Sequence, residues 1–535
     1  MWRLWFGGLP VSAVVIVCAL GQETTIRVNA RLVEVNVIVH DRNDRPVADL
    51  QKEDFKIFDR GKPQNIAYFS IFSKPLQVGI AAPPRPSNVY SNRGGEESGL
   101  PPSVTIILLD RLNTHLEEQA HARQGVIDFL EQMGPEDPVA LYTLDDDVRV
   151  LHDFTNSPER LLQVAAKYRR RFSAELDNSE TSIAEPTGDD DFDAFVQGVH
   201  DQFADFQDRD RALRTLAGLE AIANHVAGLP GRKNLVWLSG GFPFTLGVDP
   251  ISDIFRERRT FFEEAQRAAR AVSDAGVAIY PIDVRTRLTP VAVQDALRSS
   301  ASPNAIRRGR PITPLDRNLD TLEHLADQTG GRAFINTNNF RGAITQAVQD
   351  ALVTYTLGFY PDGEPDGKFH ELKVSVDRHG LKMLHRKGYL ALADMSPSPA
   401  AWKAEVEYAR VSPIPSQQIG MEVRVEPNAA KAGSYRLLAR LDARDLLLER
   451  KQEGWTGNFA IEVAQLRPDG TLAMASRSPL TVSLPDDKYR AVMEQGLRLT
   501  LSIDPAPGVD QVQVLALDEA RGRIGSVRVP LKASK

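Results

Sequence analysis

The 535-residue chain carries 42% hydrophobic and 25% charged residues, the balance of a globular protein and not of a disordered or fibrous one. Its length exceeds what one ordinary core holds, so two to four domains are expected. The net charge of −7 (64 basic against 71 acidic) supplies no basic face for nucleic acid, and a single cysteine excludes a disulfide framework or a multi-cysteine site.

The chain opens on the pattern of a secretory leader. Met1-Trp2-Arg3 is a short positive start, Leu4 to Leu20 is apolar, and Ala19 and Gly21 are the small residues of a cut before Gln22. Residues 1–21 are expected to be a signal peptide that sends the mature chain to the periplasm or beyond. The alternative is an uncleaved N-terminal membrane anchor; no later stretch reads as a transmembrane segment.

Thr25 to Val39 alternates as a strand should, Asp41 to Pro46 is a turn cluster, and Leu50 to Phe58 and Asn65 to Phe72 extend the pattern. Residues 23–80 are read as a β-rich N-terminal domain. Residues 81–103, rich in Pro, Ser, Asn and Gly, are read as a linker.

The period then changes. Val104 to Leu109 is nearly all apolar, like a strand buried on both faces, and Leu116, Ala120, Ile127, Leu130 and Met133 share one helical face. Val139 to Leu144 is a second strand with Val148 to Phe154 as its hairpin partner, and Ser157-Pro158 starts a helix. Residues 172–190 form a polar loop, after which Phe192, Phe195, Val199, Phe203 and Phe206 recur at helical spacing and are read as helix-packing core. Leu235 to Leu238 runs into Ser239-Gly240-Gly241, a helix spans Phe255 to Asp274, and Val277 to Ile282 leads to Asp283. A polar excursion at 286–318 precedes a helix at Leu319 to Thr329, a last parallel strand at Arg332 to Ile335 and a helix at Phe340 to Leu352. This alternation predicts an α/β fold with an open, mostly parallel, doubly wound sheet.

Thr354 to Tyr360, Phe369 to Val376 and Leu381 to His385 read as a β-hairpin extension of that domain, which spans 104–392. A linker at 393–401 precedes residues 402–535, whose short alternating strands predict a C-terminal β-sandwich.

Catalytic motifs are sparse. The chain has no Gly-x-Ser-x-Gly elbow, no phosphate-binding Gly-x-x-x-x-Gly-Lys loop and no His-Glu-x-x-His helix. Asp145-Asp146-Asp147 and Asp189-Asp190-Asp191 lack the alternating ligand spacing of a calcium loop and are read as solvated surface, the first at a hairpin tip. Asp110 stands apart, at the carboxyl end of the first buried strand, where open α/β sheets place their ligands.

The strand, Asp110-Arg-Leu-Asn-Thr114 and the sheet pattern together resemble a von Willebrand factor type A domain. Leu229-Pro-Gly-Arg-Lys-Asn-Leu-Val-Trp-Leu-Ser-Gly-Gly-Phe242, Tyr280-Pro-Ile-Asp283 and Thr356-Leu-Gly-Phe-Tyr360 are similar to the von Willebrand factor A-related proteins abundant in acidobacteria. Leu50-Gln-Lys-Glu-Asp-Phe55 and Gly61-Lys-Pro-Gln64 are similar to the β-module that precedes the A domain there. The resemblance covers about residues 23–392 and leaves 402–535 unassigned.

The resemblance implies a metal-ion-dependent adhesion site, where an Asp-x-Ser-x-Ser loop, a distant Thr and a second Asp hold magnesium whose last ligand comes from a partner. Here the pattern is degenerate. Asp110 matches and Thr114 keeps a hydroxyl, while Leu112 replaces the first serine and Gly240 stands where the second aspartate is expected. Asp110, Asn113, Thr114 and Thr215 are the candidate metal ligands, for Mg2+ or Ca2+, with Ser239, Gly240 and Asp283 completing a strand-end binding face. The alternative is that Asp110 and Asn113 hydrogen-bond the loop and cap the following helix. If the loop keeps the family geometry, Leu112→Ser with Gly240→Asp should raise metal affinity.

The expected function is that of an exported, non-enzymatic binding or adhesion protein that contacts a protein or other envelope macromolecule. The alternatives are a metal-dependent hydrolase using Asp110 and a purely structural envelope protein.

Overall fold

The computed structural model describes residues 32–73, 86–93, 103–134, 138–168, 190–229, 231–241, 264, 267–285, 314–363, 365–391, 397–451 and 454–531. The side chains of 190–205 and 314–321 are outside this set, as are the leader at 1–21 and most of the polar excursions at 172–190 and 286–318.

In chain order, β1 (Val33–His40), β2 (Phe55–Asp59), β3 (Lys62–Gln64) and β4 (Tyr68–Ser73) precede the short β5 (Val89–Ser91). Next come β6 (Ser103–Asp110), α1 (Leu116–Leu130), β7 (Val139–Leu144), β8 (Val148–Thr155), α2 (Pro158–Lys167) and the long α3 (Asp190–Val226). After β9 (Arg232–Ser239) and β10 (Val277–Asp283) follow α4 (Pro314–Thr329), α5 (Phe340–Gln349) and β11 (Val353–Phe359). Then come β12 (Phe369–Val376), β13 (Lys382–His385), β14 (Gly388–Leu390), α6 (Pro399–Val411), β15 (Met421–Pro427), β16 (Tyr435–Leu441), β17 (Glu449–Lys451) and β18 (Gly454–Leu466). The chain closes with β19 (Leu472–Leu484), α7 (Asp486–Gln495), β20 (Leu497–Ile503), β21 (Gln511–Asp518) and β22 (Arg523–Pro530).

The α/β unit is built on a five-stranded mixed sheet in the order β10-β9-β6-β7-β8. The first four strands are mutually parallel, and β8 returns antiparallel from β7. Every residue of β6, β7, β9 and β10 is buried, which explains their unbroken apolar runs. Because side chains alternate along a strand, Ile106 and Leu108 join α3 in one core layer while Ile107 and Leu109 join α1, α2 and α5 in the other. The two layers fix the sheet between helices, so the carboxyl ends of its strands are held as one rigid edge.

Two departures from the local reading concern this unit. Residues 332–335 do not form a strand; they make one parallel bridge, Phe334 to Ile282, and Asn336 turns the chain with φ +57°. Phe206 is 65% exposed, so the aromatic stripe on α3 does not end in core.

Residues 33–73 and 353–391 belong to the same β layers, although the sequence reading placed them in different domains. One sheet has the order β13-β1-β11-β4 and the other β14-β12-β2-β3. Tyr355 of β11 opposes Val37 of β1, and Val374 of β12 opposes Ile57 of β2. Thus β11 and β12 pair with strands about 300 residues earlier, not with each other as a hairpin extension. The cause is burial: the inward faces of Val33, Val35, Val37 and Ile57 are covered by Tyr355, Leu357, Phe359, Leu372 and Val374.

The segment read as a linker at 81–103 is also engaged. Its β5 adds an edge to β15, Asn92 donates to the Ser416 and Ile419 carbonyls at 2.7 and 2.8 Å, and Arg93 pairs with Asp442 and Asp445. Beyond α6, two sheets (β20-β16-β15-β5, and β17 to β22 around β18) enclose one apolar core. The sequence reading missed α6 and α7. Trp402, Val406 and Ala409 of α6 cover the outer face of β18 and β21, and Ile414 just beyond it enters the core of the α/β unit.

Candidate functional site

Asp110 ends β6 and lies between Leu144 of β7 on one side and the end of β9 on the other. The backbone N–H groups of Arg111 and Leu112 both donate to the Leu144 carbonyl, which turns the chain out of the sheet and into the loop before α1. Asp110, Asn113 and Thr114 are all buried, at 2%, 4% and 1% exposure. The sequence reading named Asp110 as a candidate metal ligand; in the structure the loop folds around its carboxylate.

The carboxylate is surrounded by donors. Oδ1 accepts from the Asn113 backbone N–H at 2.9 Å, and Oδ2 accepts from the Asn113 amide at 3.0 Å, the Trp237 indole at 3.0 Å and the Ser239 hydroxyl at 2.8 Å. Burial pushes the Asp110 carboxyl above its ordinary range, and the hydrogen bonds from Asn113, Ser239 and Trp237 oppose that rise.

Most of the remaining polar groups are satisfied within the same network. The Asn113 amide also donates to Thr215 Oγ1 at 2.9 Å, and that hydroxyl donates to the Arg211 carbonyl at 2.8 Å, one turn earlier on α3. Thr114 Oγ1 accepts from the Gly240 N–H at 2.9 Å, and Gln119 donates to the Thr114 carbonyl at 2.8 Å. Asn113 Oδ1 is buried without a hydrogen-bond partner. The loop does not cap α1: the N-cap residue is His115, which makes no side-chain cap bond.

Asp110, Asn113, Thr114, Thr215, Ser239 and Gly240 therefore meet at one place, while Asp283 stands apart. Asp283 lies beside Ser239 in register, but its carboxylate is held by Arg285, with contacts of 2.8 and 3.1 Å. Asp145, read as solvated, is 3% exposed and forms a two-pronged ion pair with Arg111.

These residues do not fit a magnesium or calcium ion, which needs several oxygen lone pairs converging on one point. Both Asp110 oxygens already accept hydrogen bonds, Leu112 is buried in the apolar core beside α3, and Gly240 has no side chain. A Cβ at Gly240 would lie 2.7 Å from the Asn113 carbonyl oxygen, so the loop has closed over the place where a second carboxylate would start. Among the described residues no group of three or more His, Cys, Asp or Glu side chains is arranged to hold a metal ion.

Two participants escaped the sequence reading. Trp237 was legible only as a buried strand residue, and its register opposite Leu108, two residues before Asp110 and on the same face of the sheet, is what aims its N–H at the carboxylate. Arg111 follows Asp110 directly, and nothing in its spacing announces Asp145, 34 residues on, as its partner.

No protein-family model and no curated protein matches the chain. Among solved structures, it is similar to a von Willebrand factor type A protein from Catenulispora acidiphila at 10% identity and TM-score 0.26, over 81% of this chain and 77% of that one. It is similar to an aerotolerance-related membrane protein from Bacteroides fragilis at 12% identity and TM-score 0.23, over 46% of this chain and 98% of that one. A third likeness is to three N-terminal domains of a type V pili tip protein from Porphyromonas gingivalis, at 9% identity and TM-score 0.27, over 86% and 97% of the two chains.

Proposed function

We propose that the chain is an exported binding protein that contacts a protein of the cell envelope through the strand-end face of its α/β unit, without catalysis and without a bound metal. The observation that carries this reading is the enclosure of Asp110 by four donors from its own chain. A buried carboxylate held by four donors of its own chain organises the loop that surrounds it. The hydrolase alternative needs a second acid, histidine or nucleophile beside Asp110, and the other acid of this face, Asp283, is held by Arg285.

Around this fixed centre, Leu116 at the start of α1 is 39% exposed, an apolar contact point on a polar rim. Export rests on the leader pattern at 1–21; among the described residues no helix is long and apolar enough to cross a membrane.

The test is capture of native envelope proteins by the immobilised full chain, with and without chelator, against Leu116→Glu. The reading expects a captured species that chelator leaves bound and Leu116→Glu releases. Capture abolished by chelator and indifferent to Leu116 would overturn it.

A further inference from the structure

The β7–β8 turn, α3 and α6 enclose an open cleft of about 240 Å³ beside the strand-end face. Its floor and walls are Val148, Leu213, Ala217 and Tyr408, and Asp146 and Asp147 stand at its rim. Leu144, the last residue of β7, accepts from the Arg111 and Leu112 N–H groups, so this rim is covalently continuous with the neighbour of the Asp110 loop. Tyr408 comes from α6, so the cleft is complete only where the α/β unit meets the C-terminal unit. That junction is held by hydrogen bonds from the Gln417 N–H to the Asn224 carbonyl and between His225 Nδ1 and the Pro415 carbonyl, each 2.8 Å.

Asp147 is the carboxylate of this cleft that the described cations leave aside. Arg214 also lines it, and its guanidinium is shared between Asp146 at 3.0 Å and Asp210 at 2.6 Å. Among the described residues no cation pairs with Asp147. The one guanidinium lining the cleft is thus engaged by Asp146 and Asp210, and the Asp147 carboxylate stands over an apolar pocket with a tyrosine wall. An aliphatic stem ending in a cation matches both properties: the stem covers apolar wall, and the head meets a carboxylate and the electron-rich face of an aromatic ring.

We propose that this cleft receives a lysine or arginine side chain of the partner polypeptide, with Asp147 as the carboxylate that selects for the cation. The proposal rests on the reading of the chain as a protein-binding module. It assigns the C-terminal unit a part in recognition, since α6 supplies one wall.

The experiment uses the full chain and ligand-observed NMR with blocked, glycine-flanked pentapeptides carrying a central lysine, arginine, norleucine or glutamate. The lysine and arginine peptides should bind, and norleucine and glutamate peptides should bind about fivefold more weakly or not at all, as a partly desolvated ion pair would give. Asp147→Asn should remove the preference for the cation, and Ala217→Trp should fill the cleft and block all four peptides, with unchanged circular dichroism for both variants. Equal binding of the four peptides, no binding by wild type, or a cationic preference that survives Asp147→Asn would overturn the proposal. If envelope capture is lost in Leu116→Glu yet unaffected by Asp147→Asn and Ala217→Trp, the cleft fails and the strand-end reading stands. If the peptides bind as expected and no envelope protein is captured, the cleft stands and the wider reading falls.

Discussion

Asn113 holds Asp110 twice, through its backbone N–H to one carboxylate oxygen at 2.9 Å and through its side-chain amide to the other at 3.0 Å. One residue thus supplies half of the donors that a buried charge needs, from a position three residues along the same loop. The same amide reaches Thr215, so the loop is tied to α3 as well as to its own strand.

Asn113→Ala should therefore destabilise the protein by about 2–3 kcal/mol, because it strips a donor from a buried carboxylate and a partner from a buried hydroxyl. Urea denaturation of wild type and variant measures this, and a change below about 0.5 kcal/mol, the scale of an ordinary surface substitution, would remove Asn113 from its assigned role.

Restoring the adhesion-site pattern should fail for two separate reasons. Leu112→Ser empties a buried apolar position packed against α3 and should cost about 2–5 kcal/mol, by analogy with other large-to-small core changes. Gly240→Asp places a Cβ 2.7 Å from the Asn113 carbonyl oxygen, so the backbone must shift, at about 1–3 kcal/mol. Thermal melts with and without magnesium should show two destabilised variants whose melting temperatures ignore the metal. A double variant that gains stability with magnesium would return the loop to the family geometry.

The junction between α3 and α6 should respond to pH. Glu405 is pushed up to about 8 by burial, with the Glu220 charge adding and Arg267 opposing, and Glu220 itself is pushed up to about 6. A carboxyl raised in the folded state favours folding below the unfolded value near 4.5 and loses that contribution as pH rises through the folded value. Glu405→Gln should accordingly leave stability unchanged near pH 4 and raise it above pH 8, by on the order of 1 kcal/mol once partial solvation is allowed for. Melting temperatures of both proteins across that range check the sign; a variant less stable than wild type at high pH would show that Glu405 is stabilising as a charge.

A fragment of residues 104–391 should not fold as an independent unit. It keeps β11 and β12 but lacks β1 and β2, which bury Val33, Val35, Val37 and Ile57 against them. Those side chains are worth about 1.5–3 kcal/mol each, which together approach the whole net stability of a domain, about 5–15 kcal/mol. Size-exclusion chromatography should find aggregates that co-expression with residues 23–80 prevents. A monomeric, cooperatively melting fragment would mean that the β layers are dispensable.

What was legible in the sequence follows from how local each signal is. The apolar runs of β6, β7, β9 and β10 and the spacing of α1 and α5 are properties of short windows, and they predicted the α/β unit and the place of Asp110 at its strand end. Strand pairing across 300 residues leaves no such trace: Val37 and Tyr355 each fall in a strand-like run, but neither names the other. β5 was hidden because Val89–Ser91 is three residues long in a segment rich in turn formers. Asp110, Asn113, Thr114, Thr215, Ser239 and Gly240 lie together in the fold, but the sequence did not show who satisfies whom. Only the fold brings the Trp237 indole to the Asp110 carboxylate and Arg111 to Asp145.

The most direct test of a metal-free strand end held by its own donors is isothermal titration of the full chain with magnesium and with calcium, alongside Asp110→Asn. The account predicts no saturable heat from either ion at millimolar concentration, and a loss of stability in Asp110→Asn, whose amide would face the donors of Trp237, Ser239 and Asn113. Saturable heat in wild type that disappears in Asp110→Asn would contradict it.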